Sequence, residues 1–158
     1  MIEDIIITEQ ITVPPNLING DLLQTIESIF QSSVIDRCND EIGYIMELIS
    51  IITIKGGNIV GENANVVYQV TAKVKTFKVE KEELLKAIVY KIDQRDLFAQ
   101  AGPFRIYVSA TKIANRYKYE NGKYVSDTDN IELGKPVTIK VIGKKLTGIN
   151  KMIVGTIL

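Results

Sequence analysis

One helical stretch set among β-branched runs, followed by five strand-sized segments with no long helix, predicts an α+β chain in two parts. Residues 1–79 read as a helix packed on an antiparallel sheet, and residues 80–158 as an all-β five-stranded OB barrel. Charge separates the same two parts. Residues 1–79 carry five basic and ten acidic side chains, a net of −5, whereas residues 80–158 carry fourteen and nine, a net of +5, in a chain of formal charge zero. Halves of opposite sign suit two units with different partners, the basic one facing a polyanion. The plainer reading is two solvated surfaces that merely differ.

Ile5, Ile6, Ile7, Ile11 and Val13 make the first thirteen residues a strand, which Pro14-Pro15 ends because proline cannot donate to a ladder. Leu22, Leu23, Ile26, Ile29, Phe30 and Val34 then recur at three and four, the period of an amphipathic helix of about four turns. Asn19 or Asp21 is its N-cap. Ile42–Ile54 reads as a long, largely buried strand with Tyr44, Met46, Leu48 and Ile52 on one face. Lys55-Gly56-Gly57-Asn58 is a turn, Ile59-Val60 a short strand and Gly61-Glu62-Asn63 another turn. Asn65–Val79 alternates as a half-exposed strand. In the second half the strand-sized segments are Glu82–Lys91, Asp96–Ala101, Phe104–Val108, Pro136–Ile142 and Lys151–Leu158. Gly102-Pro103, the polar stretch Tyr117–Asn130 and Gly143–Asn150 connect them. An SH3-like barrel is the alternative for five strands of this kind.

Composition narrows the chemistry. The chain has 158 residues, 46% of them hydrophobic and 24% charged, enough apolar surface to fold as one medium or two small domains. There is no histidine and one cysteine, Cys38, so the commonest general base is missing and this chain alone makes neither a disulfide nor a structural zinc site. Cys38 is most simply a small buried hydrophobe. No phosphate-loop, dinucleotide or nucleophile-elbow motif occurs. An enzyme would have to rest on Asp93, Asp96 or Glu82/Glu83 with a divalent ion, a pattern common on surfaces. No catalytic residue, metal or cofactor is therefore expected. Glu3 and Asp4 stand where a signal peptide carries Lys or Arg, and the apolar run Tyr44–Ile54, interrupted by Glu47, is too short to span a bilayer. The expectation is a soluble intracellular protein with no membrane partner.

Several segments together carry a family resemblance. They are Cys38-x-x-x-x-Gly43-Tyr44-Ile45 after the helix, Gly57-x-Ile59, and the alternating strand Tyr68–Phe77. Ala87-x-Val89, Asp96-Leu97-Phe98-Ala99-Gln100 and Gly102-Pro103-Phe104-Arg105-Ile106-Tyr107-Val108 follow, then Val137–Ile142 and Met152–Ile157. In order and spacing they resemble the stalk subunit shared by archaeal and eukaryotic RNA polymerases, the seventh subunit of polymerase II and the archaeal E subunit. Lys86 stands where the family opens its barrel with glycine, Asp96-Leu97 lacks the glycine before Phe98, and the acidic C-terminal tail of many members is missing. The chain thus resembles a divergent, trimmed member of the kind that large DNA viruses carry. The resemblance implies a non-catalytic subunit whose tip domain, residues 1–79, docks on the large polymerase subunits through Gly43, Gly56, Gly57, Asn58 and Ile59. Physically, a turn at these glycines offers backbone hydrogen bonds and an apolar anchor, although it also reads as a plain hairpin. The resemblance further implies a barrel that holds exiting single-stranded RNA and, in some systems, a second stalk subunit. The compartment would be the nucleus for a cellular protein, and the host cytoplasm or virion for a viral one.

The barrel offers its own candidates for RNA. OB barrels stack bases on exposed aromatics while cations track the phosphates. Lys91, Arg95, Phe98, Arg105, Tyr107, Lys112 and Arg116 are the residues of that kind. Alternation puts Phe104, Ile106 and Val108 on the core face and Arg105 with Tyr107 on the other. Phe98 sits at a position that is more often core. A free-standing RNA-binding factor is the competing function, and it differs in needing no polymerase partner.

Overall fold

The computed structural model describes residues 1–18 and 20–158. In chain order its elements are β1 (Ile2–Val13), α1 (Leu22–Ser33), β2 (Cys38–Asn39), β3 (Gly43–Val60) and β4 (Asn65–Phe77). Next come β5 (Leu84–Ile92), β6 (Asp96–Ala101), β7 (Phe104–Ser109), β8 (Lys118–Glu120), β9 (Lys123–Val125), β10 (Asn130–Ile131), β11 (Pro136–Thr147) and β12 (Asn150–Thr156). They form two compact units, one of Met1–Arg37 with Ile42–Lys78 and one of Cys38–Glu41 with Val79–Leu158. No helix among the described residues is long and apolar enough to cross a membrane.

In the first unit β4 is the central strand, antiparallel to β1 and to β3. Strict alternation sends Ile5, Ile7, Ile11 and Val13 of β1 to one face, where α1 covers them with the fully buried Ile26 and Phe30. Asp21 is the cap: its Oδ1 accepts the amides of Leu23 at 3.1 Å and Gln24 at 3.4 Å. Asn19, the other candidate, lies outside the described residues. The helix has 12 residues, nearer three turns than four.

Two expectations for this unit need correction. β3 does not end at Ile54, and the glycine pair at 56–57 is not a hairpin turn: the strand runs on to Val60, and the chain reverses at Gly61–Ala64. Nor is β3 largely buried. Its register against β4 slips between Ile45 and Glu47, Leu48 and Ser50, Ile51 and Thr53, and Gly56 and Asn58. Each slip inserts one unpaired residue, so the side chains packed on the core are Ile45, Leu48, Ile51 and Ile54, every third residue instead of every second. The inserted Ile49 and Ile52 are exposed.

The second unit is a closed barrel in the order β11-β12-β7-β6-β5, with β11 pairing back to β5. β12 runs parallel to β7 and the other neighbours are antiparallel. Leu97, Phe104, Ile106, Ile139 and Ile153 fill the interior and are fully buried. β11 continues to Thr147, so the expected connection at Gly143–Asn150 is mostly strand. The expected polar connection Tyr117–Asn130 is also structured, as a small antiparallel sheet in the order β10-β9-β8. Buried Tyr124 of β9 fastens it to the barrel, its hydroxyl donating to the carbonyls of Asp93 at 2.7 Å and Gln94 at 3.2 Å. Cys38 is buried, as expected, with its Sγ donating to the Asn150 carbonyl at 3.0 Å.

Candidate nucleic-acid interface

Pairing register, more than sequence proximity, assembles the candidate residues on one wall of the barrel. Leu97 and Ala99 of β6 point inward, so Phe98 and Gln100 point out. On β7 the inward Phe104, Ile106 and Val108 leave Arg105 and Tyr107 outside, as alternation predicts. Phe98 lies opposite Tyr107 on one side and Lys91 of β5 on the other. Tyr107 in turn lies beside Val154 of β12. One row across the wall is therefore Lys91, Phe98, Tyr107, Val154, and the next is Ile88, Gln100, Arg105, Met152. Phe98 belongs to the outer surface and is not core.

β5 adds a residue that the sequence reading missed. Its inward positions are Leu85, Ala87 and Val89, but the register slips between Val89 and Lys91. The inserted residue is Tyr90, so two consecutive side chains, Tyr90 and Lys91, both reach solvent on this wall. The signal was the spacing of apolar residues 85, 87, 89 and 92, which breaks alternation at this point. Tyr90 and Phe98 stand 6.1 Å apart by ring centroid and are tilted by 38°, and Phe98 and Tyr107 stand 5.3 Å apart at 60°. The Lys91 ammonium lies over the Phe98 ring, 5.3 Å from its centroid. Aromatic faces flanked by a lysine and an arginine are what an unpaired base and its phosphate need.

The remaining cations lie elsewhere on the unit. Arg95 is exposed in the β5–β6 turn, where its carbonyl accepts the Ala110 amide at 2.9 Å. Lys112 is exposed at the end of the short helical turn Ala110–Lys112 that follows β7. Both stand beyond the paired ends of β6 and β7 at Asp96 and Ser109, so they form a rim to the wall. Arg116 is committed to other partners. Its guanidinium stacks on Tyr117 at 4.6 Å and donates to the Tyr117 hydroxyl at 3.1 Å and to the Leu158 carbonyl at 2.8 Å.

Two tyrosines near these cations are shifted upward from the ordinary phenol value. Burial is the first cause for both, followed by the Asp129 hydrogen bond for Tyr117 and by the charge of Asp96 for Tyr124. Asp129 is held below the usual carboxylate range by hydrogen bonds, first from Ser126 and then from Tyr117. Asp93 and Asp96 belong to no group of three or more potential metal ligands among the described residues.

The residues expected to dock on a partner have different surroundings. Gly43 is buried, with φ +83°, and a Cβ there would stand 2.4 Å from the Phe77 carbonyl oxygen and 2.8 Å from the Lys78 Cα. The missing side chain lets the Phe77–Lys78 backbone pass close by. Gly56 and Gly57 adopt φ of +98° and +100° inside β3, where the register slips. Asn58 and Ile59 pair with Val67 and Val66, close to the hairpin end. Ile59 is 72% exposed, an apolar side chain left in water beside the exposed Val60.

The family model described as S1 RNA binding domain matches residues 78–150, which take in the β5, β6 and β7 part of the wall and the small sheet. DNA-directed RNA polymerase II subunit 7 of Arabidopsis thaliana is 25% identical, over 97% of this chain and 90% of that protein. The polymerase II subunit RPB7 of Glycine max is 24% identical over the same shares. DNA-directed RNA polymerase V subunit 7 of Arabidopsis thaliana is 30% identical over 69% of this chain and 64% of its own length. Similarity that runs through both units, with an S1 domain in the second, makes the chain a divergent homologue of the seventh subunit of RNA polymerase.

Proposed function

We propose that the chain is a non-catalytic stalk subunit of a DNA-directed RNA polymerase. It docks on the large subunits through the first unit and holds exiting single-stranded RNA on the β5–β7 wall. The observation that carries this reading is the outward row Lys91, Phe98 and Tyr107, flanked by Tyr90 and Arg105, within the segment matched to S1 RNA binding. Rings present flat apolar faces to bases of any identity, and the cations neutralise phosphates, so binding is sequence-tolerant and weakens with salt. Each stacked base contributes about 1–3 kcal/mol by alanine substitution. The double change Arg105→Ala, Tyr107→Ala therefore lowers affinity for a short unstructured RNA by roughly tenfold or more at low salt. Filter binding checks this, with circular dichroism to show that the barrel persists; undiminished binding would remove the wall from the proposal.

Docking rests on the exposed apolar Ile59 and Val60 near the β3–β4 turn, on a unit of net negative charge. A buried apolar anchor dominates many interfaces, and a carboxylate in its place would be desolvated without a partner. Ile59→Asp is expected to cut recovery of the large polymerase subunits when the tagged chain is purified from its native source. Equal recovery from the variant would move docking elsewhere, and recovery of RNA without any polymerase subunit would favour the free-standing factor.

A further inference from the structure

We propose that Lys91 is a displaceable cover on the Phe98 stacking face, so that the wall admits bases only when a phosphate comes with them. The inference rests on the RNA-binding reading above and adds a condition to it. Phe98 stands between Tyr90 and Tyr107 at 6.1 and 5.3 Å. A base inserted between two rings needs about 7 Å, twice the contact distance of carbon atoms, so neither gap admits one. The Lys91 ammonium also lies over the Phe98 ring, 5.3 Å from its centroid, and it is the neighbour that a flexible side chain can carry away. Lys91 is held there by register, because the slip at Tyr90 turns it outward directly opposite Phe98.

A nucleotide reaching this face must move the ammonium off the ring. A free nucleobase or nucleoside offers nothing in return, whereas a nucleotide strand supplies a phosphate for the displaced lysine. The same side chain thus opposes stacking and rewards charge. The ligand class selected is a flexible phosphodiester strand with unstacked bases, in preference to nucleosides.

The test compares wild type with Lys91→Ala, using a short uridine oligonucleotide and the full chain, from about 50 mM to 0.5 M salt. Removing the cover exposes Phe98 and strengthens stacking by about two- to fivefold. Removing the charge lowers the slope of log K against log salt by about 0.7, the value for one single-strand phosphate contact. The two lines should cross: the variant binds more weakly at low salt and more tightly at high salt. Uridine itself should bind the variant better than the wild type. In the free wild type, the Lys91 ε-methylene protons should be shifted upfield by the Phe98 ring and should return toward ordinary positions on adding RNA. Lines that never cross, or ε protons at ordinary positions in the free protein, overturn the cover. Binding insensitive to Phe98→Ala with Tyr107→Ala overturns the wall itself, and the cover with it.

Discussion

At Gly43 a single methyl group would run into the Phe77–Lys78 backbone. The nearest atoms, the Phe77 oxygen and the Lys78 Cα, belong to the backbone and cannot swing away. Gly43→Ala should destabilise the first unit by about 1–3 kcal/mol through overlap, with roughly another 1 kcal/mol from the left-handed backbone. Gly61 has φ +71° but nothing within 4 Å of its would-be Cβ. Gly61→Ala should therefore show only the smaller, conformational loss. Urea midpoints of the two variants separate the contributions, and equal losses would mean that the close approach at Gly43 carries no cost. Asp129 shows a different dependence, on pH. Ser126 and Tyr117 donate to it at 2.7 Å each, and these bonds favour the carboxylate. A carboxylate whose folded value is lowered stabilises the fold above its unfolded value, and loses that contribution as pH falls through the lowered one. The difference in urea midpoint between wild type and Asp129→Asn should stay constant from the ordinary carboxylate range upward and shrink in stronger acid. A difference that persists there would assign the effect to shape, not charge.

Legibility ends, at the scale of elements, where strands depart from strict alternation. β1, α1, β4, β6 and β7 could be read because their inward residues keep a period of two or 3.6 throughout. β3 could not. Ile45, Leu48, Ile51 and Ile54 recur every third residue, a spacing that neither template explains, and the glycines at 56–57 imitate a turn within the same strand. β8, β9 and β10 have three, three and two residues, too short to show any period, and Tyr124 marks their attachment only once its hydroxyl is seen on the β5–β6 turn. The outward direction of Phe98 was hidden for another reason. Leu97, Phe98 and Ala99 are all apolar, so composition does not tell which two alternate positions fill the barrel; the pairing with β7 does. Tyr90 went unseen because an inserted residue in β5 has no signature except a broken spacing of its neighbours.

For the molecule as a whole, the two architectures and the opposite charges of the two halves were legible, because burial pattern and charge are summed over many residues and survive local error. The wall was legible in part: Lys91, Phe98, Arg105 and Tyr107 meet there, while Arg116 turns to Tyr117 and Leu158. Sequence distance does not report which side chains share a face of a closed barrel, since that depends on register between strands far apart in the chain. The repeated slips in β3 carry one more consequence. Along the length of β3 that the two-residue β2 does not cover, a strand that breaks its own hydrogen-bond rhythm gives a second chain no regular template to copy. The first unit can thus keep isoleucines in water along that strand without inviting like molecules to stack into fibres, and a partner must grip those side chains individually.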